Sequence, residues 1–363
     1  MFSENMHLLR ILSAAVSLAA CSISAQMSPE AIAQQPGFVR AEFIAQQPPT
    51  PSSHASTIVE SKGDLLCAWF GGTKERALDV SIWLSRNAGA GWSEPAEVAN
   101  GVHDEERVRY PCWNPVLFRP KDGPLVLFYK EGPSPESWWG MMKTSEDNGQ
   151  TWSRPKRLFS GFYGPIRNKP IQLEDGTILA GSSVEHTGWL THIERTKNIM
   201  REWTKSDPLN SSMEWGAIQP TLLAWPDGTI QMLCRTKQRK ITQAYSYDKG
   251  YKWTRMRATE LPNPNSAIDA VMLRDGHAAL AYNHSEDDRG TLNLAISHDG
   301  RRWQAAMVLE NEPGAEFSYP AIIQTADKMI HVTYTWKRQG IRHVTVDPSL
   351  LRLQPIVSGV WPR

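Results

Sequence analysis

A polar motif that ends in tryptophan recurs along this chain at a step of about fifty residues. The clearest copy is Ser145–Trp152, with the sequence SEDNGQTW, and copies or remnants of it begin at residues 85, 196, 246 and 297. Self-similarity at such a period indicates one supersecondary unit repeated within a single architecture. The repeat restricts the fold strongly, because each unit must bury its apolar face against the next.

Each repeat also contains two short apolar runs on either side of a glycine-bearing turn. Four of the turns carry Asp-Gly, which is typical of two-residue β-hairpins. The six pairs are Ser56–Glu60 with Asp64–Phe70, Pro115–Phe118 with Pro124–Tyr129, Pro170–Leu173 with Thr177–Ser182, Pro220–Ala224 with Thr229–Cys234, Ala270–Leu273 with His277–Tyr282, and Pro320–Gln324 with Met329–Thr335. A third strand follows in each unit, and no stretch has convincing helical periodicity. The sequence therefore predicts an all-β fold, a single six-bladed β-propeller over residues 51–355.

The N-terminal segment is predicted to lie outside this domain. Arg10 precedes a largely apolar run, Ile11–Ala20, which is too short to span a bilayer and is typical of a signal peptide, here residues 1–25. Leu18–Cys21 also resembles a bacterial lipobox, which would leave Cys21 lipid-anchored. Residues 26–50 are rich in Gln and Pro and are predicted to be a linker. We therefore expect an exported protein, periplasmic or extracellular, with membrane contact only through that possible anchor.

Composition narrows the range of partners. The formal net charge is +1, which argues against nucleic acid or an anionic membrane surface as the main partner. The sequence has no cluster with metal-ligand spacing, no glycine-rich phosphate loop and no dinucleotide fingerprint. We therefore predict no metal and no cofactor.

The repeated motif has the form Ser-x-Asp-x-Gly-x-Thr-Trp, known as the Asp-box. A six-bladed propeller with this motif repeated along it resembles the sialidase (neuraminidase) superfamily over roughly residues 50–350. The resemblance implies a glycan substrate. It also implies that the boxes lie on hairpins between third and fourth strands, far from the substrate.

The site is expected on the propeller axis, where the innermost strands begin. Alignment of the six units on their hairpin turns brings one polar residue per unit to this position. These residues are His54, Asn114, Lys169, Gln219, Asp269 and Tyr319. Six polar groups that converge on one axis are hard to explain as packing, since burial without partners carries a desolvation cost.

A second ring of polar residues is predicted where the second strands end. It includes Glu185 and Arg235, and nearby loops add Glu75, Asp79 and Arg289. This largely cationic mixture suits a substrate that bears a carboxylate. Arginine binds carboxylate in a bidentate manner, so Arg235 is the best candidate for that contact. The predicted substrate-binding set is Arg235, Lys169, Arg289, Asn114, Asp269 and Glu185.

The resemblance also implies catalytic roles. Tyr319 matches the tyrosine nucleophile of sialidases, a recognised exception among glycosidases. Arg235 and Arg289 resemble two of the three arginines that bind the substrate carboxylate. Asp79 corresponds to the acid/base, with Glu75 as its competitor.

The chain departs from the superfamily at two positions. Gln219 stands where a glutamate activates the tyrosine, and His54 is nearest to the place of the first arginine. Three functions therefore remain open. The first is an exo-acting sialidase-like hydrolase of acidic sugars with a tyrosine nucleophile. The second is a glycosidase or polysaccharide lyase for uronate-containing glycans, in which His54 and Tyr319 act as acid and base. The third is a carbohydrate-binding propeller without catalysis.

Overall fold

The computed structural model describes residues 27–103, 105 and 107–362. The predicted signal peptide and Cys21 lie outside the described residues. Within them, six antiparallel sheets follow one another along the chain, which confirms the predicted six-bladed propeller. No helix in these ranges is long and apolar enough to cross a membrane.

Five blades are built from four consecutive strands. Blade one contains β2 (Ser52–Ser61), β3 (Asp64–Gly72), β4 (Ser81–Asn87) and β5 (Ala96–Ala99). A small hairpin of β6 (Val102–His103) and β7 (Val108–Arg109) follows it. Blade two contains β8 (Cys112–Phe118), β9 (Leu125–Glu131), β10 (Trp139–Ser145) and β11 (Lys156–Arg157). Blade three contains β12 (Ile171–Gln172), β13 (Ile178–Val184), β14 (Leu190–Asn198) and β15 (Glu202–Lys205); blade four contains β16 (Ala217–Ala224), β17 (Ile230–Thr236), β18 (Lys240–Ser246) and β19 (Arg257–Pro262). Blade five contains β20 (Asp269–Met272), β21 (Ala278–Tyr282), β22 (Thr291–Ser297) and β23 (Trp303–Asn311), and β27 (Gln354–Pro355) extends it after a 3-10 turn at Pro348–Leu350.

Blade six is completed by both ends of the chain. Its inner strands are β24 (Phe317–Gln324), β25 (Ile330–Trp336) and β26 (Gly340–Val346). Its outermost strand is β1 (Phe38–Phe43), which pairs antiparallel with β26 and follows a short helix, α1 (Pro29–Ala33). The N-terminal strand therefore closes the ring.

This closure differs from the linker that composition predicted for residues 26–50. Without β1, the strand β26 would present an unpaired edge. Ile44, directly after β1, is buried and packs in one cluster with Cys67, Trp69 and Ile341. Gln and Pro are frequent in this segment, but backbone pairing and buried apolar side chains such as Ile32 and Ile44 decide its structure.

The hydrophobic core consists of layers between neighbouring blades. One cluster joins blades one and two through residues such as Leu66 and Leu127, and another joins blades five and six through Leu294 and Val332. The innermost strand β2 lies against both β8 and β24, so blade one contacts blade two on one side and blade six on the other. Each blade therefore depends on two neighbours for burial of its apolar faces.

The Asp-boxes lie on the hairpins after the third strands. In the box that begins at Ser145, the hydroxyl of Ser145 accepts from Gly149 N at 2.7 Å, and Asp147 Oδ1 accepts from Thr151 N at 2.8 Å. The Trp152 ring packs against the cluster between blades one and two. The polar half of the box thus fixes its own turn, while the tryptophan joins two blades.

We expect Asp147→Asn to lower the melting temperature by a few degrees, on the order of 2–4 °C. Hydrogen bonds from Thr151 and Ser145 lower the pKa of Asp147 to about 2. Because the folded pKa lies below the ordinary value of 3.8, the stabilisation is complete above that value and is lost as the pH falls toward 2. Thermal unfolding followed by circular dichroism at pH 7 and in acid should show the gap between wild type and variant shrinking in acid. Glu146→Gln is the matched control, and an equal loss in that variant would contradict the role of the box.

Candidate functional site

The first strands of the blades begin around the axis at one end of the propeller, and a cleft opens there. Seven of the residues singled out from the sequence line this axial cleft: His54, Glu75, Asn114, Glu185, Gln219, Arg235 and Tyr319. The structure thus brings side chains from five blades to one cavity.

The same backbone irregularity directs three of these side chains. Asn114, Gln219 and Tyr319 have positive φ angles of 38°, 56° and 54°, and each lies where the register between first and second strands shifts. Such bulges turn a side chain out of the ladder at a cost in backbone strain, and they are frequent at functional sites. In blade one the equivalent residue is Ala55, with φ 56°, so the alignment on hairpin turns was one residue off for His54.

His54 nevertheless faces the cleft. Its Nδ1 lies 2.9 Å from Thr335 Oγ1, and its ring centroid is 4.2 Å from that of Tyr319. Burial, followed by the charges of Arg338 and Arg289, holds the pKa of His54 well below its ordinary value. The imidazole is therefore neutral near pH 7 and is a weak base.

Tyr319 is surrounded by guanidinium groups. Its hydroxyl accepts a hydrogen bond from Arg235 Nη1 at 2.9 Å, and the guanidinium carbons of Arg167, Arg235 and Arg289 lie 5.4, 5.6 and 5.9 Å from its ring centroid. Burial alone would raise the pKa of Tyr319, but Arg235 and Arg289 outweigh it and lower that pKa. The site thus increases the fraction of phenolate, the nucleophilic form.

Arg167 was not anticipated from the sequence. It is buried, and its Nη2 donates to the backbone carbonyls of Tyr319 at 2.6 Å and Pro320 at 2.8 Å. These bonds cross from blade three to blade six and hold the bulge that presents Tyr319. No repeat position marks Arg167, because it precedes the aligned residue of its blade by two.

The guanidinium of Arg235 is fixed by side chains from blade four and the loop after it. Its Nη1 donates to Gln219 Oε1 at 3.2 Å, and its Nη2 donates to Asn265 Oδ1 at 2.8 Å. Gln219, which replaces the superfamily's glutamate, therefore orients Arg235. An amide carbonyl cannot serve as the base for Tyr319.

Arg338 is the second unanticipated cation. It lies in the turn between β25 and β26, where its Nη1 donates to Glu75 Oε2 and its Nε donates to Glu316 Oε1 at 3.0 Å. Glu316 also accepts from Arg289 Nη1 at 3.1 Å. The four charged groups form a chain beside Tyr319, on the side where blade six meets blade one. The lysine-arginine pair in a tight turn gave the only sequence signal for this residue.

The opposite side of the cleft is aromatic. Trp113, Trp138 and Trp189 line it together with Glu185. Burial raises the pKa of Glu185, although Arg235 acts in the opposite direction. A carboxyl group that keeps its proton to higher pH beside aromatic rings suits both sugar binding and proton donation.

Four residues singled out from the sequence lie outside the cleft lining. The carboxylate of Asp79 caps its own loop through Thr73 N at 2.9 Å. Lys169 Nζ donates to Asp269 Oδ2 at 2.7 Å, so these two groups satisfy each other. Arg289 lies close to Tyr319, with its guanidinium carbon 5.9 Å from the ring centroid, and its positive charge lowers the pKa of the tyrosine. The loop conformation thus places Glu75 in the cleft, while Asp79 stays outside.

The propeller matches a known protein family. Residues 63–332 match the BNR repeat-like domain, which covers most of the propeller. The chain belongs to the BNR repeat-like family. The boxes on the hairpins after the third strands are the repeats of this family, and the resemblance to the sialidase superfamily is confirmed in fold and repeat.

Solved structures share the fold of this family member at low sequence identity. A protein of unknown function from Dyadobacter fermentans has a TM-score of 0.72 and 16% identity, covering 88% of this chain and all of its own. The Hadza microbial sialidase Hz136 has a TM-score of 0.71 and 16% identity, with 84% of this chain and 67% of that chain covered. The intramolecular trans-sialidase from Ruminococcus gnavus has a TM-score of 0.69 and 12% identity, with 84% and 97% covered. No curated protein matches the sequence significantly.

Proposed function

We propose that this protein is an exo-acting glycoside hydrolase for a carboxylated sugar, sialic acid or a related acidic sugar, with Tyr319 as nucleophile. The observation that carries the proposal is the hydrogen bond from Arg235 to the hydroxyl of Tyr319 inside the axial cleft. Sialidases and a trans-sialidase among the solved structures with this fold support the same chemistry. The predicted signal peptide leads us to propose that the enzyme acts outside the cytoplasm.

The missing glutamate base is compensated by electrostatics in this mechanism. Arg235 and Arg289 lower the pKa of Tyr319, so a larger fraction of phenolate is present without a base partner. The phenolate attacks the anomeric carbon while the bond from that carbon to the glycosidic oxygen breaks, and the departing oxygen receives a proton from an acid in the cleft. Water then attacks the anomeric carbon of the covalent intermediate, which releases the tyrosine oxygen and gives the sugar with retention of configuration.

The carboxylate of the sugar is assigned to three arginines: Arg235 lines the cleft, and Arg289 and Arg338 lie next to its lining with 25% and 31% of their side chains exposed. Arg235, Arg289 and Arg338 are linked to one another through Asn265 and Glu316. In the described part of the chain, Arg338 Nη2 and Arg289 Nε make no hydrogen bond, so both N–H groups remain for a ligand. Arg338 thereby takes the place of the arginine that blade one lacks.

Glu185 is assigned as the proton donor to the leaving group. Its raised pKa keeps a larger protonated fraction near neutral pH. Glu75, the other carboxylate in the lining, is ion-paired with Arg338. Asp79, the superfamily's counterpart, is committed to the loop at Thr73.

A second candidate rests on the replacement of glutamate by Gln219. An amide beside Arg235 suits neutralisation of a uronate carboxylate, after which His54 or Tyr319 would remove a proton from the sugar. The depressed pKa of His54 makes it a weak base and favours the hydrolase. A lyase would release an unsaturated uronate that absorbs in the near ultraviolet, whereas a hydrolase would not.

A panel of fluorogenic glycosides tests the proposal. We expect the purified protein to release the fluorophore from an α-sialoside or another carboxylated glycoside and to leave the matched neutral glycosides intact. Proton NMR of the first product should show retained anomeric configuration. Growth of near-ultraviolet absorbance on uronate polymers would instead support the lyase, and glycan binding without any turnover would overturn catalysis.

A further inference from the structure

A second cavity, of about 370 Å³, lies at the other end of the propeller from the axial cleft. It is lined by Gln243, Tyr245, Thr254, Arg255, Arg257 and Arg301, and we call it the rim pocket. Tyr245 pairs with Gln231 on β17, whose other end carries Arg235. Four residues of strand separate these positions, about 13 Å at 3.3 Å per residue. The rim pocket is therefore a separate cavity.

Three guanidinium groups converge on the rim pocket from two blades. Arg255 and Arg257 come from the end of blade four at which its box lies, and Arg301 belongs to the box of blade five. A concentration of three arginines is unexpected in a chain whose formal net charge is only +1. It gives the pocket a positive field that suits an anionic ligand.

Few carboxylates oppose this charge. Arg255 pairs with Glu214 at 2.8 Å on the open surface. Asp299 is held by Arg302 Nε at 3.1 Å and by the amides of its own turn. Across the ranges that the structure describes, Arg257 and Arg301 have no carboxylate partner. Two guanidinium groups thus remain uncompensated at the pocket.

The wall between the arginines is built from fixed, uncharged groups. The hydroxyl of Tyr245 donates to Gln243 Oε1 at 2.8 Å, and Gln231 Nε2 donates to that hydroxyl at 3.3 Å. Gln231 is itself anchored to the backbone of the blade-five box through Gly300 O at 2.7 Å. The Arg301 guanidinium lies 5.8 Å from the Tyr245 ring centroid. An amide, a phenol and an aromatic ring beside two guanidinium groups without carboxylate partners fit the hydroxyls and the acidic group of a sugar.

We propose that the rim pocket is a second binding site for an acidic sugar residue, which would hold a polymeric glycan on the propeller while another residue occupies the axial cleft. The choice of a glycan as ligand rests on the proposed function; the preference for an anion does not. The acidic group is a carboxylate or a sulfate ester, both of which match the geometry of an arginine fork.

Binding of defined oligosaccharides to the full protein tests this site. The probes are a carboxylated oligosaccharide (oligogalacturonate), a sulfated one (a heparin oligosaccharide) and a neutral one of equal length, measured by calorimetry at fixed salt. In the double variant Arg257→Ser and Arg301→Ser, we expect affinity for one acidic probe to fall at least about tenfold, because each lost fork removes charge-assisted hydrogen bonds. The exposed Arg40→Gln, on β1, is the control and should bind as wild type does.

Turnover of a small fluorogenic glycoside separates this proposal from the proposed function. We expect the double variant to keep wild-type turnover, since a small substrate occupies only the axial cleft. Unchanged affinity of the double variant for both acidic probes would overturn the rim site. Equal binding of neutral and acidic probes would overturn it too. Wild-type protein that binds the acidic probe through the rim arginines but hydrolyses nothing would overturn the proposed function alone.

Discussion

Replacement of Tyr319 by phenylalanine is expected to abolish glycoside hydrolysis, with a fall in kcat/KM of at least about 10³-fold. The variant removes only the hydroxyl, the atom that would form the bond to the anomeric carbon. The phenylalanine ring keeps the contact with His54, whose centroid lies 4.2 Å away, so the fold should survive. The loss should therefore be in kcat, with the melting temperature almost unchanged.

Tyr334→Phe provides the matched control. Tyr334 is a buried tyrosine of the same blade, and its hydroxyl donates to Glu310 Oε1 at 2.7 Å, away from the cleft. We expect it to cost about 1–2 kcal/mol in stability and to leave turnover intact. A fluorinated substrate that slows the second step should label wild-type protein, and mass spectrometry should find the adduct on the peptide with Tyr319. A Tyr319→Phe enzyme that keeps a tenth of wild-type activity would refute the nucleophile.

Arg338→Gln should have the second-largest effect, a loss of about a hundredfold in kcat/KM for carboxylated substrates. The guanidinium of Arg338 is bonded to Glu75 and Glu316, and its Nη2 is available for a ligand. Its loss removes a carboxylate contact and leaves those two carboxylates less well neutralised. We expect the change mainly in KM. Arg338→Lys should restore little, since an ammonium group lacks the bidentate fork.

The control for Arg338 is Arg342→Gln, four residues further along the same hairpin. Arg342 lies near Glu310 at 3.6 Å and over the ring of Phe43 at 5.3 Å, outside the cleft. It should change stability slightly and KM very little. If Arg338→Gln lowered turnover of acidic and neutral glycosides by the same factor, its assignment to the substrate carboxylate would be wrong.

The repeat made much of the fold predictable. A fixed step of about fifty residues specifies the number of blades, and Asp-Gly turns specify where four of the six hairpins bend. The same repeat spacing identified Gln219 and Tyr319, because each lies at a bulge and is followed by proline. In blade one the spacing pointed to His54, one residue before the bulge, which falls on Ala55 and has no proline after it.

Other parts of the site could not be read from a repeat, because they depend on contacts between distant blades. Arg338 faces Glu75 only after blade six closes against blade one, a separation of 263 residues in sequence. The pair of Lys169 and Asp269 crosses from blade three to blade five in the same way. Whether Glu75 or Asp79 faces the cleft depends on the conformation of their loop, which no local propensity encodes.

Because β1 pairs with β26, the fold cannot be completed until the ribosome has synthesised β26. The strand that leaves the ribosome early has no partner until β26 has been made, so no product truncated before β26 can seal the ring. The contact between Arg338 and Glu75 also needs blade six, because it joins that blade to a loop of blade one. Chains that stop before β26 therefore lack both the closing strand pair and the contact between Arg338 and Glu75, and they are expected to remain open and exposed to proteolysis.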